Sequence, residues 1–496
     1  MRNSRRITEY LDLLKKEDVL LDAFNLSNED LPIENLCFDS REVSKNTLFV
    51  CKGAGFKEEY IKLAKEKGAI FFVSEVKYDI DNLILVKDIR RTMALLSLMF
   101  YDKPWEEFKL VGLTGTKGKS TTLSYIINIM EGAKVCGADK FGYISTIDTY
   151  TGKQKFESHL TTPEAIELGK DLREMADSNL YAAGMEVSSQ ALKFDRTYGL
   201  VFDIGCFTNF AKDHIGDTEH PDMEDYLNSK LKFLNQCKTL IINLDTDKIE
   251  EILPRAKNGK LTEKVITYSA KDKSADYFIE NVRKENGFIK FSLTGMGEIS
   301  LSMPGLFNAE NAALAAIVAK LLGATDDEIK KGLLNAKAKG RMEVFENKDR
   351  ELVVISDYAH NALSFERLFT SVRAEYPGYR IEALFGAPGG KGLSRREDLP
   401  KVAAKYTDFV WVTEEDPANE DPAEICKVVL SNLEKFGGKG KIVVDREEAI
   451  KEAIKNAPPK TAVLLIAKGR EEYMHRGYEY VPIKSDSALA EELINL

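Results

Sequence analysis

The chain has 496 residues, 44% apolar and 30% charged, with a net charge of −10. That length exceeds one hydrophobic core and predicts two to four domains of soluble globular composition. The acidic balance, with no concentration of Lys or Arg on any segment, argues against a nucleic-acid partner.

The opening MRNSRRITEYLDLLKKEDVL has basic residues but no apolar core segment, so it is not expected to be a secretory signal. No run of eighteen apolar residues occurs, and no membrane insertion is expected. Six cysteines (37, 51, 136, 206, 237, 426) are scattered without CxxC pairing. They read as reduced core thiols of a cytoplasmic protein, not as a zinc site or a disulfide frame.

Pro104 precedes a short apolar run, and a first domain boundary is expected near 104–107. Residues 110–122 then read LVGLTGTKGKSTT, followed by Leu123, Ile126, Ile127 and Met130 at helical spacing. This order is strand, phosphate loop, helix. Glycines let backbone N–H groups turn toward one anion at a helix N-terminus. Lys119 is placed to reach the β/γ-phosphates of a nucleotide, and the Ser120 hydroxyl to hold Mg²⁺. The strict pattern has a glycine at 113, where this chain has Leu113.

Farther on, Glu186 ends the strand-like LYAAGM, where a second magnesium contact is expected. VFDIGCF (201–207) reads as a strand, and His214 and His220 follow it in an acidic loop. His214 is the better candidate on spacing, and His220 reads as a surface residue. Lys230 shares a helix with Tyr226 and Phe233 and can point inward. A buried lysine is costly unless paired or neutralised, and reaction with CO₂ to a carbamate would neutralise it; spacing alone favours an ordinary surface lysine. Residues 275–303 alternate around Glu285-Asn286-Gly287 and predict an antiparallel hairpin.

A second boundary is expected near 340. Beyond it, LVVIS (352–356), IEALFG (381–386), DFVWVT (408–413) and AVLLIA (462–467) alternate with helical patterns at 362–375 and 423–435. The fold class is therefore α/β with mostly parallel sheets, in three domains: 1–105, 106–340 and 341–496. Three loops close strands of the last domain: 357–361, 384–398 and 413–422. Ligands bind at strand C-terminal ends in such sheets.

At these residues a family resemblance becomes specific. TGTKGKSTT, LTTPE (160–164), MEVSSQAL (185–192), NFAKDH (209–214), MEDYLNSK (223–230), GLFNAENAALAA (305–316), GRMEV (340–344) and DYAHN (357–361) fall in the order seen in Mur ligases. These are the ATP-dependent amide-forming enzymes of bacterial cell-wall synthesis. DSREVSKNTLFVCKGAGFKEE (39–59) is similar to the family's uridine-nucleotide segment, so the resemblance spans essentially the whole chain.

The resemblance implies a role for each matching position. Gly115, Thr116, Lys117, Gly118, Lys119, Ser120 and Thr121 would hold the ATP phosphates. Asn308 and Asn311 would face the adenine, and Arg341 and Asp357 would bridge to the nucleotide. Ser120, Glu186, His214 and a carbamylated Lys230 would surround two Mg²⁺ ions. Ser40 would contact uridine, and Thr161, Thr162, Ser188 and Arg196 the muramyl-dipeptide.

Arg396, Glu415, Asp416, Pro417, Ala418 and Glu471 would receive the incoming amino acid. Family members that add meso-diaminopimelate carry Asp-Asn-Pro-Arg where this chain has Glu415-Asp416-Pro417-Ala418. Without the Arg, and with two acids present, an ammonium side chain fits better. L-Lysine is the expected substrate, joined to UDP-N-acetylmuramoyl-L-alanyl-D-glutamate by a monomeric cytoplasmic ligase. L-Ornithine, meso-diaminopimelate and a folylpolyglutamate-type reaction remain open. The family's Gly-Lys-Gly-His-Glu appears here as Ala467-Lys468-Gly469-Arg470-Glu471.

Overall fold

The computed structural model describes residues 5–53, 55–211, 220–337, 340–477 and 479–495. Their strands form three main sheets and one short hairpin. The first sheet has the order Leu20–Phe24, Leu83–Val86, Ala69–Ser74, Thr47–Val50, Asn35–Cys37. Only its outer strand Leu20–Phe24 runs antiparallel to its neighbour. All four residues of Thr47–Val50 are buried, as a parallel strand covered on both faces requires.

The central sheet holds eleven strands. The strand Lys109–Thr114 lies in its interior, between the parallel strands Ala182–Glu186 and Phe202–Phe207. Three strand C-termini therefore emerge side by side, at the phosphate loop, Glu186 and Thr208. Leu113 is fully buried and still belongs to the strand; the turn begins only at Gly115. That explains why the strict glycine position can hold leucine here. Gly112 is needed for packing, since a Cβ there would lie 2.7–2.8 Å from the rings of Phe202 and Phe233.

The alternating stretch near 275–303 is three strands, not a two-stranded hairpin. Tyr277–Glu285, Phe288–Leu293 and Gly297–Leu301 run antiparallel, and the first extends the central sheet beside Lys264–Ser269. The turn is where the sequence puts it, with Asn286 and Gly287 both at positive φ.

The third sheet has the order Glu343–Asn347, Leu352–Asp357, Thr461–Ile466, Arg380–Phe385, Phe409–Val412, Gly440–Ile442. All pairings are parallel except the first. Glu375 joins this unit to the central one. Its carboxylate accepts the Gly305 N–H at 2.7 Å and the Ser371 hydroxyl at 2.9 Å, and pairs with Lys284 at 3.1 Å.

A buried ion pair fixes the strand ends of the third sheet. Arg446 meets Asp486 at 2.6 and 2.8 Å, with both side chains under 5% exposed. The same guanidinium donates to the carbonyls of Glu414 and Ile466, tying two loops together. Removing one partner strands a buried charge. Asp486→Ala is therefore expected to cost about 3–5 kcal/mol, read as an earlier denaturant transition of Trp411 fluorescence in a Trp105→Phe background.

Candidate active site

The phosphate loop is shaped by glycine and held by a neighbouring strand end. Gly115 has φ 140° and Gly118 φ 88°. A Cβ on Gly115 would collide with Thr208 Oγ1 and one on Gly118 with Asn311 Oδ1, so both positions exclude side chains. Asn209 accepts the N–H of Thr116 through its carbonyl (2.8 Å) and that of Lys117 through Oδ1 (2.9 Å). Its amide and the Thr208 hydroxyl both donate to Lys117 O, at 3.0 and 2.7 Å.

Two ammonium groups converge on one carbonyl of this loop. Lys119 Nζ donates to Gly115 O at 2.8 Å and Lys230 Nζ at 2.9 Å. Lys230 is 1% exposed and lies 4.8 Å from the Tyr226 ring centre. The expectation of a surface lysine from spacing alone is thus overturned. Its helix, Met223–Leu231, turns Tyr226, Leu227, Lys230 and Leu231 inward together.

Ser120 and Glu186 meet at the loop's exit. Ser120 Oγ donates to Glu186 Oε2 at 2.9 Å, and Glu186 Oε1 accepts the backbone and hydroxyl of Thr146 at 2.9 and 3.2 Å. Glu186 is 1% exposed. Magnesium commonly takes one or two carboxylates plus substrate phosphates, and a hydroxyl beside a carboxylate under a phosphate loop fits that habit. Among the described residues no three His, Cys, Asp or Glu side chains gather as a metal site. His214 lies outside the described residues.

One cavity of about 430 Å³ collects most of the expected residues. Thr116 to Thr121, Glu186 and Lys230 line one side. Thr161, Ser188 and Arg196 line another. Asn308, Asn311, Arg341, Asp357 and Glu471 close it from the remaining side. Gly115 and Thr162 stand behind the wall; Thr162 Oγ1 donates to Glu186 O and accepts the Ser188 N–H. Arg341 reaches across to Ser120 Oγ at 3.3 Å and stacks 4.6 Å from the Tyr358 ring. Burial pushes the Asp357 carboxyl above its usual range, against the opposing pull of Arg341. Asp357 also accepts the N–H groups of Met342 and Ala359, both at 2.8 Å. Asn311 donates to Asn308 Oδ1 at 2.9 Å.

The remaining expected residues lie outside the cavity lining. Ser40 sits on the first sheet's edge loop, where its carbonyl accepts from Lys67. Arg396 is turned away, bonded to Pro388 O and Glu420 at 3.1 and 2.8 Å. Arg395 and Arg446 are the guanidinium groups that act on Glu415. Pro417 packs its carbonyl against Gly389, and Ala418, at φ 50°, pairs with His475.

Glu415 and Asp416 do not form the open acidic pair expected of an ammonium pocket. Asp416 already meets Lys468 at 2.9 Å, and Glu471 meets the same ammonium at 2.5 Å. Burial would raise the Asp416 carboxyl, but Lys468 and the His475 N–H overcome it and hold it below its usual range. Glu415 is buried, its Oε2 lacks a hydrogen-bond partner among the described residues, and burial pushes it up to about 7.

His220 is the residue sequence reasoning undervalued. It is 1% exposed, lines the cavity, and bonds Asp225 at 2.6 Å and Ser189 Oγ at 3.0 Å. The only available signal was its position two residues before the Asp222 helix cap. Asn209 was also missed, because nothing local in a sequence shows which loop a strand-end amide will serve.

With this geometry, family models match twice: the Mur ligase middle domain over residues 113–319 and the Mur ligase glutamate ligase domain over 340–469. The chain belongs to the Mur ligase family. Members are ATP-dependent ligases. A UDP-N-acetylmuramyl-tripeptide synthetase of Ligilactobacillus salivarius (strain UCC118) is 36% identical, covering 98% of this chain and 99% of that relative. A UDP-N-acetylmuramoyl-L-alanyl-D-glutamate–L-lysine ligase of Enterococcus faecalis (strain ATCC 700802 / V583) is 36% identical, with 98% of both chains covered. The solved structure of a UDP-N-acetylmuramoyl-L-alanyl-D-glutamate–2,6-diaminopimelate ligase shares the fold, with TM-score 0.65 and 22% identity over 97% of this chain and 98% of that one.

The Glu415 carboxyl gives this Mur ligase a pH signature. Its pKa rises from 4.5 to about 7 on folding, so the folded chain holds a proton that the unfolded chain has lost between those values. Stability attributable to Glu415 therefore falls as pH rises from 4.5 to 7. Glu415→Gln is expected to remove that fall, a relative gain at pH 8 over pH 5 of about 3 kcal/mol at most, measured by denaturant titration at both pH values.

Proposed function

We propose that this Mur ligase joins L-lysine to UDP-N-acetylmuramoyl-L-alanyl-D-glutamate, converting ATP to ADP and phosphate. The observation that carries it is a single cavity in which a phosphate loop and the Ser120–Glu186 pair face Ser188 and Arg196. A phosphate donor and an acidic acceptor can share such a cavity. The names of the relatives, full-length at 36% identity, support the same reaction.

The chemistry follows from positioning and charge. A substrate carboxylate held near Arg196 and Ser188 attacks the γ-phosphorus of ATP, and ADP leaves. The incoming amine then attacks the acyl carbon of the acyl phosphate; phosphate leaves and the amine gives up its extra protons. Phosphoryl transfer needs alignment and neutralisation more than covalent help from the protein. Lys119 supplies positive charge to the transferring group. Magnesium held by Ser120 and Glu186 would screen the phosphate oxygens.

Lys230 is assigned as a carbamate ligand for the second ion. Its amine is buried and faces the cavity. Reaction with CO₂ forms an N–C bond, releases two protons from the ammonium and leaves an N–H that can still donate to Gly115 O. The buried cation becomes an anion suited to a metal. L-Lysine is favoured over meso-diaminopimelate because position 418 is alanine and carries no guanidinium for a distal carboxylate. With Asp416 held by Lys468, the preference for L-lysine rests on position 418 and on the names of the relatives. No helix among the described residues is long and apolar enough to cross a membrane. We place the reaction in the cytoplasm because its proposed substrates, ATP and a UDP-linked dipeptide, are held there.

Purified protein supplied with ATP, Mg²⁺ and the UDP-linked dipeptide is expected to form the lysyl tripeptide. L-Ornithine, one methylene shorter, should be used less well by about 10–200-fold, and meso-diaminopimelate hardly at all. An inert mixture with every amino acid, ATP intact, would sink the reaction. Lys230→Ala should lose activity by on the order of 100-fold, with partial recovery on adding short carboxylic acids. Full activity in that variant rules out the carbamate.

A further inference from the structure

Two neighbouring parallel strands of the first sheet, Asn35–Cys37 and Thr47–Val50, end in loops that carry Phe38, Ser40 and Lys52. Lys52 bridges the first sheet and the central unit. Its ammonium lies 5.1 Å from the Phe38 ring centre and 2.7 Å from Glu164 Oε2, in the central unit. Glu164 gives its other oxygen, Oε1, to Arg196 Nη2 at 2.8 Å. All three side chains are mostly buried, at 13%, 13% and 9% exposure.

Arg196 stands at the end of this chain and lines the cavity. Its Nη1 donates to Thr162 O at 3.1 Å, while Nε is buried without a hydrogen-bond partner among the described residues. The guanidinium is thus held at one corner and not satisfied all round. The other acid nearby, Glu167, accepts the Glu164 backbone N–H at 3.3 Å.

Carboxylates prefer a bidentate fork with arginine over a single contact. Glu164 instead meets Arg196 through Oε1 alone, while Lys52 draws on Oε2. Without Lys52, Glu164 would turn both oxygens onto Arg196 and take up donors that face the cavity.

We propose that Lys52 is a positioning residue for the acidic substrate: by holding one oxygen of Glu164 from the first domain, it keeps the Arg196 guanidinium available for a substrate carboxylate in the cavity. This rests on the proposed function, since it needs an acidic substrate at Arg196. It also links the two units on which the substrate lies. The first domain's ligand edge sets the geometry of a residue in the second, so binding depends on how the two are docked.

The full-length protein is titrated calorimetrically with UDP-N-acetylmuramoyl-L-alanyl-D-glutamate and, separately, with a non-hydrolysable ATP analogue. Lys52→Met and Lys52→Gln are expected to weaken the UDP-linked dipeptide by about tenfold or more and to leave the ATP analogue unchanged. Lys52→Arg should retain affinity. Adding Glu164→Gln to Lys52→Met should restore part of the loss, because a neutral amide does not compete for Arg196; a merely structural role for Lys52 predicts no such recovery. Parent-like binding by both neutral variants overturns the inference, as does equal weakening of both ligands or a double variant no better than Lys52→Met. Failure of the parent chain itself to bind the UDP-linked dipeptide overturns the proposed function and this inference with it.

Discussion

Thr208 and Asn209 give the phosphate loop its shape, and the rest of the site depends on that shape. A loop with glycines at φ 140° and 88° has no helix or ladder to satisfy its own amides. Asn209 satisfies them, taking the N–H groups of Thr116 and Lys117 and donating to Lys117 O. Because Phe202–Phe207 lies directly beside Lys109–Thr114, the partner arrives from the next strand end at no cost in loop length. Buried backbone groups need such partners, and here one asparagine supplies three.

The same strand order places charge. Glu186 ends the strand on the other side of Lys109–Thr114 and faces Ser120, while Lys230 reaches the loop from a helix that follows Thr208 and Asn209 in sequence. A carboxylate and two ammonium groups are thereby gathered around one loop without any being close in sequence. Cations and anions buried this close are tolerated because each is hydrogen-bonded, and they surround the place where phosphate charge would develop.

The third sheet adds a different kind of control. Arg446 and Asp486 fix the carbonyls of Glu414 and Ile466, and so hold the loop carrying Glu415 and Asp416 against the loop carrying Lys468 and Glu471. Lys468 then pairs with both Asp416 and Glu471. What looks like an acidic pocket in the sequence is mostly an ion cluster, beside which burial pushes the Glu415 carboxyl up. Arg470, where the family pattern has His, pairs with Glu343 at 2.7 and 3.0 Å, so that departure ties the last loop to the segment after residue 340.

Local patterns determined the α/β class, several of the strands and helices and, through the glycine and lysine spacing, the phosphate loop, because these depend on residues close together in the chain; the same patterns missed the third strand of 275–303. The family motifs added which residues share a site, and most of them do line one cavity. Sequence could not show that Lys230 and His220 are buried, since a helix face or a loop side becomes interior only when another element covers it. Nor could it show that Asp416 is occupied by Lys468, 52 residues away, or that Lys52 reaches from the first sheet's edge to Glu164. Those facts concern which charges are neutralised by which, and Coulomb interactions follow distance in space rather than distance along the chain.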